Sequence, residues 1–232
     1  MVIFDIANPI HMLRKLMLLF CLCPLGVLAQ EKEENPGAGR FMVGLRTTVS
    51  AFSDAGHFGF GSGAQVRIQF GPKVNSEWYY DHISTDIDGL GRRVDEHIGW
   101  SVMFYALGQH LEKGKFSPYV EAGNCFDYTG VKSNSSASSW VSRGSAAVHL
   151  GLGTHYNLSE KADITLKAQY MIHLGLDINE TEQTNETTGV RYLDITKGNE
   201  GLNGHLLMTC SVNFYFGRLW KGYLFGKKSK NL

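Results

Sequence analysis

The sequence predicts an all-β fold, a closed antiparallel up-and-down barrel of eight strands that crosses a membrane. Three observations carry that prediction: an amino-terminal export leader, eight long segments in which apolar and polar residues alternate, and no later apolar stretch long enough for a spanning helix. In KADITLKAQYMIHLGL, Lys161 to Leu176, one parity holds Ile164, Leu166, Ala168, Tyr170, Ile172 and Leu174; the other holds Asp163, Thr165, Lys167, Gln169, Met171 and His173. A period of two marks a strand, whose successive side chains leave on opposite faces. Strands of soluble sheets run to about five or six residues, whereas a tilted strand needs about 9–11 to cross a bilayer. Hydrocarbon offers no partner for a free backbone amide, so such strands must close into a barrel.

Residues 1–30 read as a signal peptide. Arg14 and Lys15 precede an apolar run from Leu16 to Leu28, followed by Ala29 and Gln30 and then the charged EKEEN. Asp5 and Pro9 lie ahead of the basic region and point to Met12 as the true start. Residues 31–38 are then a short periplasmic segment. Beyond the leader two cysteines remain, Cys125 on a polar parity and Cys210 on an apolar one, which predicts free thiols.

The eight segments follow in order across residues 39–217. Gly39 to Phe52 sets Phe41, Val43, Leu45 and Val49 against Met42, Arg46, Thr48 and Ser50. His57 to Gly71 sets Phe58, Phe60, Val66 and Ile68 against Gln65, Arg67 and Gln69. The third, VNSEWYYDHIS, opposes Trp78 and Tyr80 to Glu77, Tyr79 and Asp81 and is the weakest. The fourth, EHIGWSVMFYALG, opposes Ile98, Trp100, Val102 and Phe104 to His97, Ser101, Met103 and Tyr105. The fifth, KFSPYVEAGNCFDY, opposes Val120, Ala122 and Phe126 to Tyr119, Glu121 and Asp127. The sixth, SAAVHLGLGTHYNL, opposes Val148, Leu150 and Leu152 to His149, His155 and Asn157. The opening stretch is the seventh. HLLMTCSVNFYFG, the eighth, opposes Leu206, Met208, Val212 and Phe214 to Thr209, Ser211 and Asn213.

Three connections (GPKVN, QHLEKGK and NLSEKAD) read as short turns. DIDGLGRRVD, the serine-rich stretch around Ser135 and the acidic stretch from Asp177 to Asn203 read as long loops on the opposite side. Residues 218–232 form a basic, aromatic tail. Lys and Arg equal Asp and Glu at 22 each, so no basic excess calls for nucleic acid.

An eight-stranded barrel is just wide enough for its own side chains to fill it. The polar parities send Arg46, Arg67, Glu77, Asp81, His97, Glu121, His149, His155, Lys167, Gln169 and His173 into the lumen. Because buried charges are costly unless paired, the expectation is a network of ion pairs and hydrogen bonds that plugs it. His149 and His155 are about 20 Å apart along one strand at the usual rise, too far to share an ion. No helical metal motif, cysteine pair or calcium loop appears, so neither metal nor cofactor is expected. His57, beside Ser53 and Asp54, is the nearest approach to a catalytic group.

SPYVEAGNCFDY, AAVHLGLGTHYNLSEKADITLKAQY and the final SVNFYFG resemble the small eight-stranded outer-membrane β-barrels of Gram-negative bacteria, the OmpA-like and OmpX-like group. The resemblance spans nearly all of the mature chain. One departure is Ser211, which stands where the group's last strand carries a glycine. The resemblance implies a monomer in the cell outer membrane, surrounded by lipid and lipopolysaccharide, inserted by the barrel assembly machinery and carrying variable outer loops. The expectation is therefore a non-enzymatic barrel with a filled lumen, serving envelope integrity or meeting a host or surface ligand at its loops. The rivals are a lipid-modifying barrel enzyme of the lipid-A acyltransferase or deacylase kind and a soluble exported ligand-binding barrel.

Overall fold

A computed structural model describes residues 37–52, 57–135 and 140–220. The signal peptide, residues 31–36 of the short segment after it and the tail beyond Trp220 lie outside the described residues. So do Ser53 and Asp54.

Eight antiparallel strands pair in chain order and close: β1 (Arg40–Phe52), β2 (Phe58–Gln69), β3 (Val74–Ile87), β4 (Gly91–Phe104), β5 (Phe116–Ser133), β6 (Trp140–Ser159), β7 (Ala162–Thr184) and β8 (Arg191–Arg218). Closure is made by β1 with β8, where Val43 lies opposite Phe214 and Arg46 opposite Ser211. Tyr80 on β3, in the weakest segment of the sequence, lies opposite Ala64 on β2 and Ile98 on β4.

The barrel is inside out relative to a water-soluble protein. Leu45 is 73% exposed and its neighbour Arg46 2%; Leu166 is 56% exposed and Lys167 5%. Burying about ten charged groups while exposing a band of leucine, phenylalanine and valine costs free energy in water, because both changes run against transfer preferences. In hydrocarbon the band is solvated and only the interior needs pairing.

The connections differ from the sequence expectation. The terminal rim, where β1 begins and β8 ends, holds a tight turn after Ser159 and an eleven-residue span between Phe104 and Phe116. On the far rim the strands run on into what the sequence presents as long loops. Between β3 and β4 Asp88 (φ 50°) and Gly89 (φ 71°) both take the left-handed conformation, and Leu90 N donates to Ile87 O at 2.8 Å. Asp-Gly is a favoured pair for such a hairpin turn. In the last hairpin the register slips between Leu176 and Ile178. Before the slip the inward residues of β7 are odd-numbered up to His173; beyond it Ile178 is buried, so the alternation reverses and no longer reads as one strand.

Candidate functional site: the lumen network

The inward side chains form stacked layers along the barrel axis. Nearest the terminal rim, Arg67 on β2 pairs with Asp163 on β7 and donates from Nη1 to His155 Nδ1 at 2.9 Å. His155 is also hydrogen-bonded through Nε2 to the Tyr105 hydroxyl at 2.6 Å and stacks on Tyr119.

The next layer is ionic and spans the lumen. Arg46 on β1 lies 2.8 Å from Asp81 and 3.5 Å from Glu77, both on β3. Lys167 on β7 lies 2.7 Å from Glu77 and 3.3 Å from Glu121 on β5. The chain Asp81, Arg46, Glu77, Lys167, Glu121 thus ties together four strands. The Tyr79 ring lies under both cations, 4.3 Å from Arg46 Cζ and 5.1 Å from Lys167 Nζ. His149 is held at 2.9 Å by the Ser101 hydroxyl.

Above it, and overlapping it on β3 where Asp81 lies inward between Tyr79 and Ile83, is an apolar septum. Tyr79, Ile83, Cys125, Ala147, Met171 and Leu207, from β3, β5, β6, β7 and β8, pack against one another across the barrel. Sequence parity placed Met171 and Tyr79 inward with the polar residues, but alternation alone does not say that inward apolar groups meet at one height.

Beyond the septum Asp127 gathers partners: His173 Nδ1 at 2.9 Å, His97 Nε2 at 3.3 Å and Arg143 at 3.7 Å. The rings of His97, His173 and His205 lie 4.8 to 6.2 Å apart. Arg93 pairs with Asp95 at 3.1 Å and with Glu180 at 3.2 Å. A second apolar cluster, Ile87, Val131, Ile178, Leu193 and Ile195, caps the lumen at the far rim.

The structure therefore brings Arg46, Glu77, Asp81, Glu121 and Lys167 into one network, with His149 beside it. Arg67 and His155 lie in the layer below, and His97 and His173 in the layer above. Asp127, Asp163, Asp95, Arg93, Arg143 and His205 complete the layers and were not singled out. Asp127 and Asp163 sat on polar parities, and Arg93, Asp95 and His97 continue a single alternation; extending β4 by two pairs would have found them. Among the described residues no group of His, Cys, Asp or Glu is arranged to hold a metal ion. His57 Nδ1 stands 3.9 Å from Asp88. Cys125 is buried and Cys210 exposed, both free. Between Arg40, Gln109, Asn157 and Asp163 at the terminal rim lies a cavity of about 10 Å³, room for about one water.

The family model described as outer membrane protein beta-barrel domain matches residues 16–198. Among solved structures, the surface protein A of Neisseria (NspA) is 13% identical with a TM-score of 0.55, covering 77% of this chain and 98% of its own. The N-terminal β-barrel domain of OprF from Pseudomonas aeruginosa is 14% identical, TM-score 0.48, covering 78% and 99%. The outer membrane protein OprG from the same organism is 17% identical, TM-score 0.48, covering 78% and 97%. No curated protein matches. With most of its length matched by that family model and its apolar face turned outward around a closed barrel, the chain belongs to the outer membrane protein beta-barrel domain family, in the outer membrane of the Gram-negative envelope.

Proposed function

We propose that this is a sealed outer-membrane barrel whose work is done at its lipid-facing and far-rim surfaces, not through its lumen. The observation that carries the reading is the septum of Tyr79, Ile83, Cys125, Ala147, Met171 and Leu207, set between two ionic layers. An ion crossing it would enter a mainly apolar layer whose bordering charge, Asp81, is already paired with Arg46, a desolvation cost of several kcal/mol in real proteins. The lumen groups are accounted for by pairing with one another and need no catalytic role. In this reading the far rim faces outward, since outer-membrane barrels keep short turns inside and extend their strands outside. There the β7–β8 ribbon presents Tyr192, Val190, Glu182 and Arg191 for contact with lipopolysaccharide or another surface. A monomer inserted by the assembly machinery is consistent with full closure, which leaves no strand edge to pair. Purified protein in planar bilayers should give no stepwise current at neutral pH; stable ohmic steps in the folded protein would overturn the reading.

A further inference from the structure

On the outer wall, toward the far rim, three strands place a serine, a histidine and a glutamate side by side. Ser62 on β2 lies directly opposite His82 on β3, and His82 lies directly opposite Glu96 on β4. Ser62 and His82 are exposed and Glu96 is partly so, on the parity that faces lipid. His82 Nδ1 is hydrogen-bonded to Glu96 Oε1 at 2.6 Å, and the Tyr80 hydroxyl donates to the other carboxylate oxygen. The carboxylate on Nδ1 leaves Nε2 as the ring nitrogen open to a second partner. Side chains directly opposite on paired strands have Cβ atoms about 4.5–5.5 Å apart, so rotation of the Ser62 hydroxyl can bring it to Nε2.

The surroundings fit a lipid with an anionic headgroup. Arg92 on β4 and Lys132 on β5 lie opposite each other, exposed, nearer the far rim. Arg92 is four residues from Glu96, about 13 Å at the usual rise of a strand. Asp86 faces Arg92 from β3, with its carboxylate also accepting from Gly89 N at 3.0 Å. Toward the bilayer centre from His82 lie exposed Ile98 and Phe126. A phosphate held by Arg92 and Lys132 would put the ester linkage of an acyl chain near His82 and the chain itself against Ile98 and Phe126. Charged or hydrogen-bonding groups on a lipid-facing wall are costly.

We propose that Ser62, His82 and Glu96 form an acyl-ester hydrolase site for phosphorylated lipid, with Ser62 as nucleophile, His82 as general base and Glu96 as the positioning carboxylate. This departs from the expectation of a chain without enzymatic activity. The Ser62 Oγ–H proton passes to His82 Nε2 as Oγ bonds the ester carbonyl carbon. The carbon–oxygen bond to the lipid alcohol breaks, and that oxygen takes the proton from His82. Water then adds to the acyl-serine carbonyl and gives a proton to His82. The bond to Oγ breaks, Oγ recovers the proton, and a free fatty acid and a lipid alcohol leave. In the reading above, the site lies in the outer leaflet.

Purified full-length protein is incubated in mixed micelles with phosphatidylglycerol, with hexa-acylated lipid A or with phosphatidylcholine, and released fatty acid is followed by mass spectrometry. Micelles have no sides, so a wrong orientation of the barrel leaves this result untouched; surface labelling of whole cells at Lys132 tests orientation separately. The expected result is fatty acid from one of the two anionic lipids, naming the source, lowered by about a hundredfold or more in Ser62→Ala, His82→Ala and Glu96→Gln. Arg92→Ala with Lys132→Ala should raise KM and leave kcat unchanged. A fluorophosphonate probe should label Ser62. Heat-modifiable gel migration verifies that each variant is folded. The proposal is overturned if the folded wild type releases no fatty acid from either anionic lipid, if activity survives Ser62→Ala, or if the probe labels a residue other than Ser62.

Discussion

Lys167 on β7 reaches across the lumen to Glu77 on β3, with Nζ 2.7 Å from Oε1, although the two strands are not neighbours in the sheet. Arg46 approaches the same carboxylate from β1. Lys167→Met should therefore leave Glu77 short of one cation and Glu121 without its 3.3 Å partner. Breaking a buried pair from one side costs about 3–5 kcal/mol, and urea unfolding in lipid or detergent should show a loss of that size. Replacing Lys167 and Glu121 together, by Met and Gln, should cost less than the sum of the single changes.

The septum makes a separate demand on packing. Leu207 is fully buried within it, and Leu207→Ala should lower unfolding free energy by about 2–5 kcal/mol. A lipid-facing change of the same size, Leu150→Ala, leaves no internal cavity and should cost markedly less. Paired unfolding curves check the contrast.

Gly99 tests close packing inside the barrel. A Cβ there would sit 2.2 Å from Tyr79 Cζ, the ring that lies under Arg46 and Lys167. Gly99→Ala should displace Tyr79 and cost about 1–3 kcal/mol as overpacking. The altered tyrosine environment should also appear in near-UV circular dichroism.

At the far rim Arg191 donates to both carboxylate oxygens of Glu182. This hydrogen bonding lowers the Glu182 pKa below its usual range. A carboxylate depressed in the folded state contributes order above its unfolded pKa, near 4.3 for glutamate, and loses it as pH falls through the folded value. Amide exchange of residues 180–193 should accordingly speed up as pH falls from about 5 toward 3, after correction for intrinsic rates. In Glu182→Gln that acid-specific step should be absent.

Much of the architecture was legible because alternation reports which face a residue occupies. Leu166 and Lys167 were separable from sequence, as were Val120 and Glu121, since a lipid-facing strand leaves no other way to arrange them. The far halves of β7 and β8 were not legible, because the slip at Leu176 reverses the parity and polar residues there face water on one side. The Asp88–Gly89 turn was present as a local signal but lay inside a stretch read as loop. In the lumen, residue types were legible and partners were not. Lys167 meets Glu77 through the barrel interior, and cross-lumen height depends on strand stagger, which no single segment encodes. The grouping of Ser62, His82 and Glu96 is not legible for a similar reason: their adjacency is a product of register across three strands.

The central claim is that the even-numbered side chains of β7 from Ile164 to Leu174 face lipid, while the odd-numbered ones over the same span face a closed, ionically paired lumen. Spin labels placed singly from Ile164 to Leu174, in protein carrying Cys125→Ala and Cys210→Ser and reconstituted in bilayers, test it most directly. Oxygen collision rates should be high at 164, 166, 168, 170, 172 and 174, while labels at 165, 167, 169, 171 and 173 should be shielded from both oxygen and a water-soluble nickel reagent. High nickel accessibility at the odd positions would reveal an open aqueous lumen, and high oxygen accessibility there with shielding at the even ones would reverse the faces; either result would contradict the account.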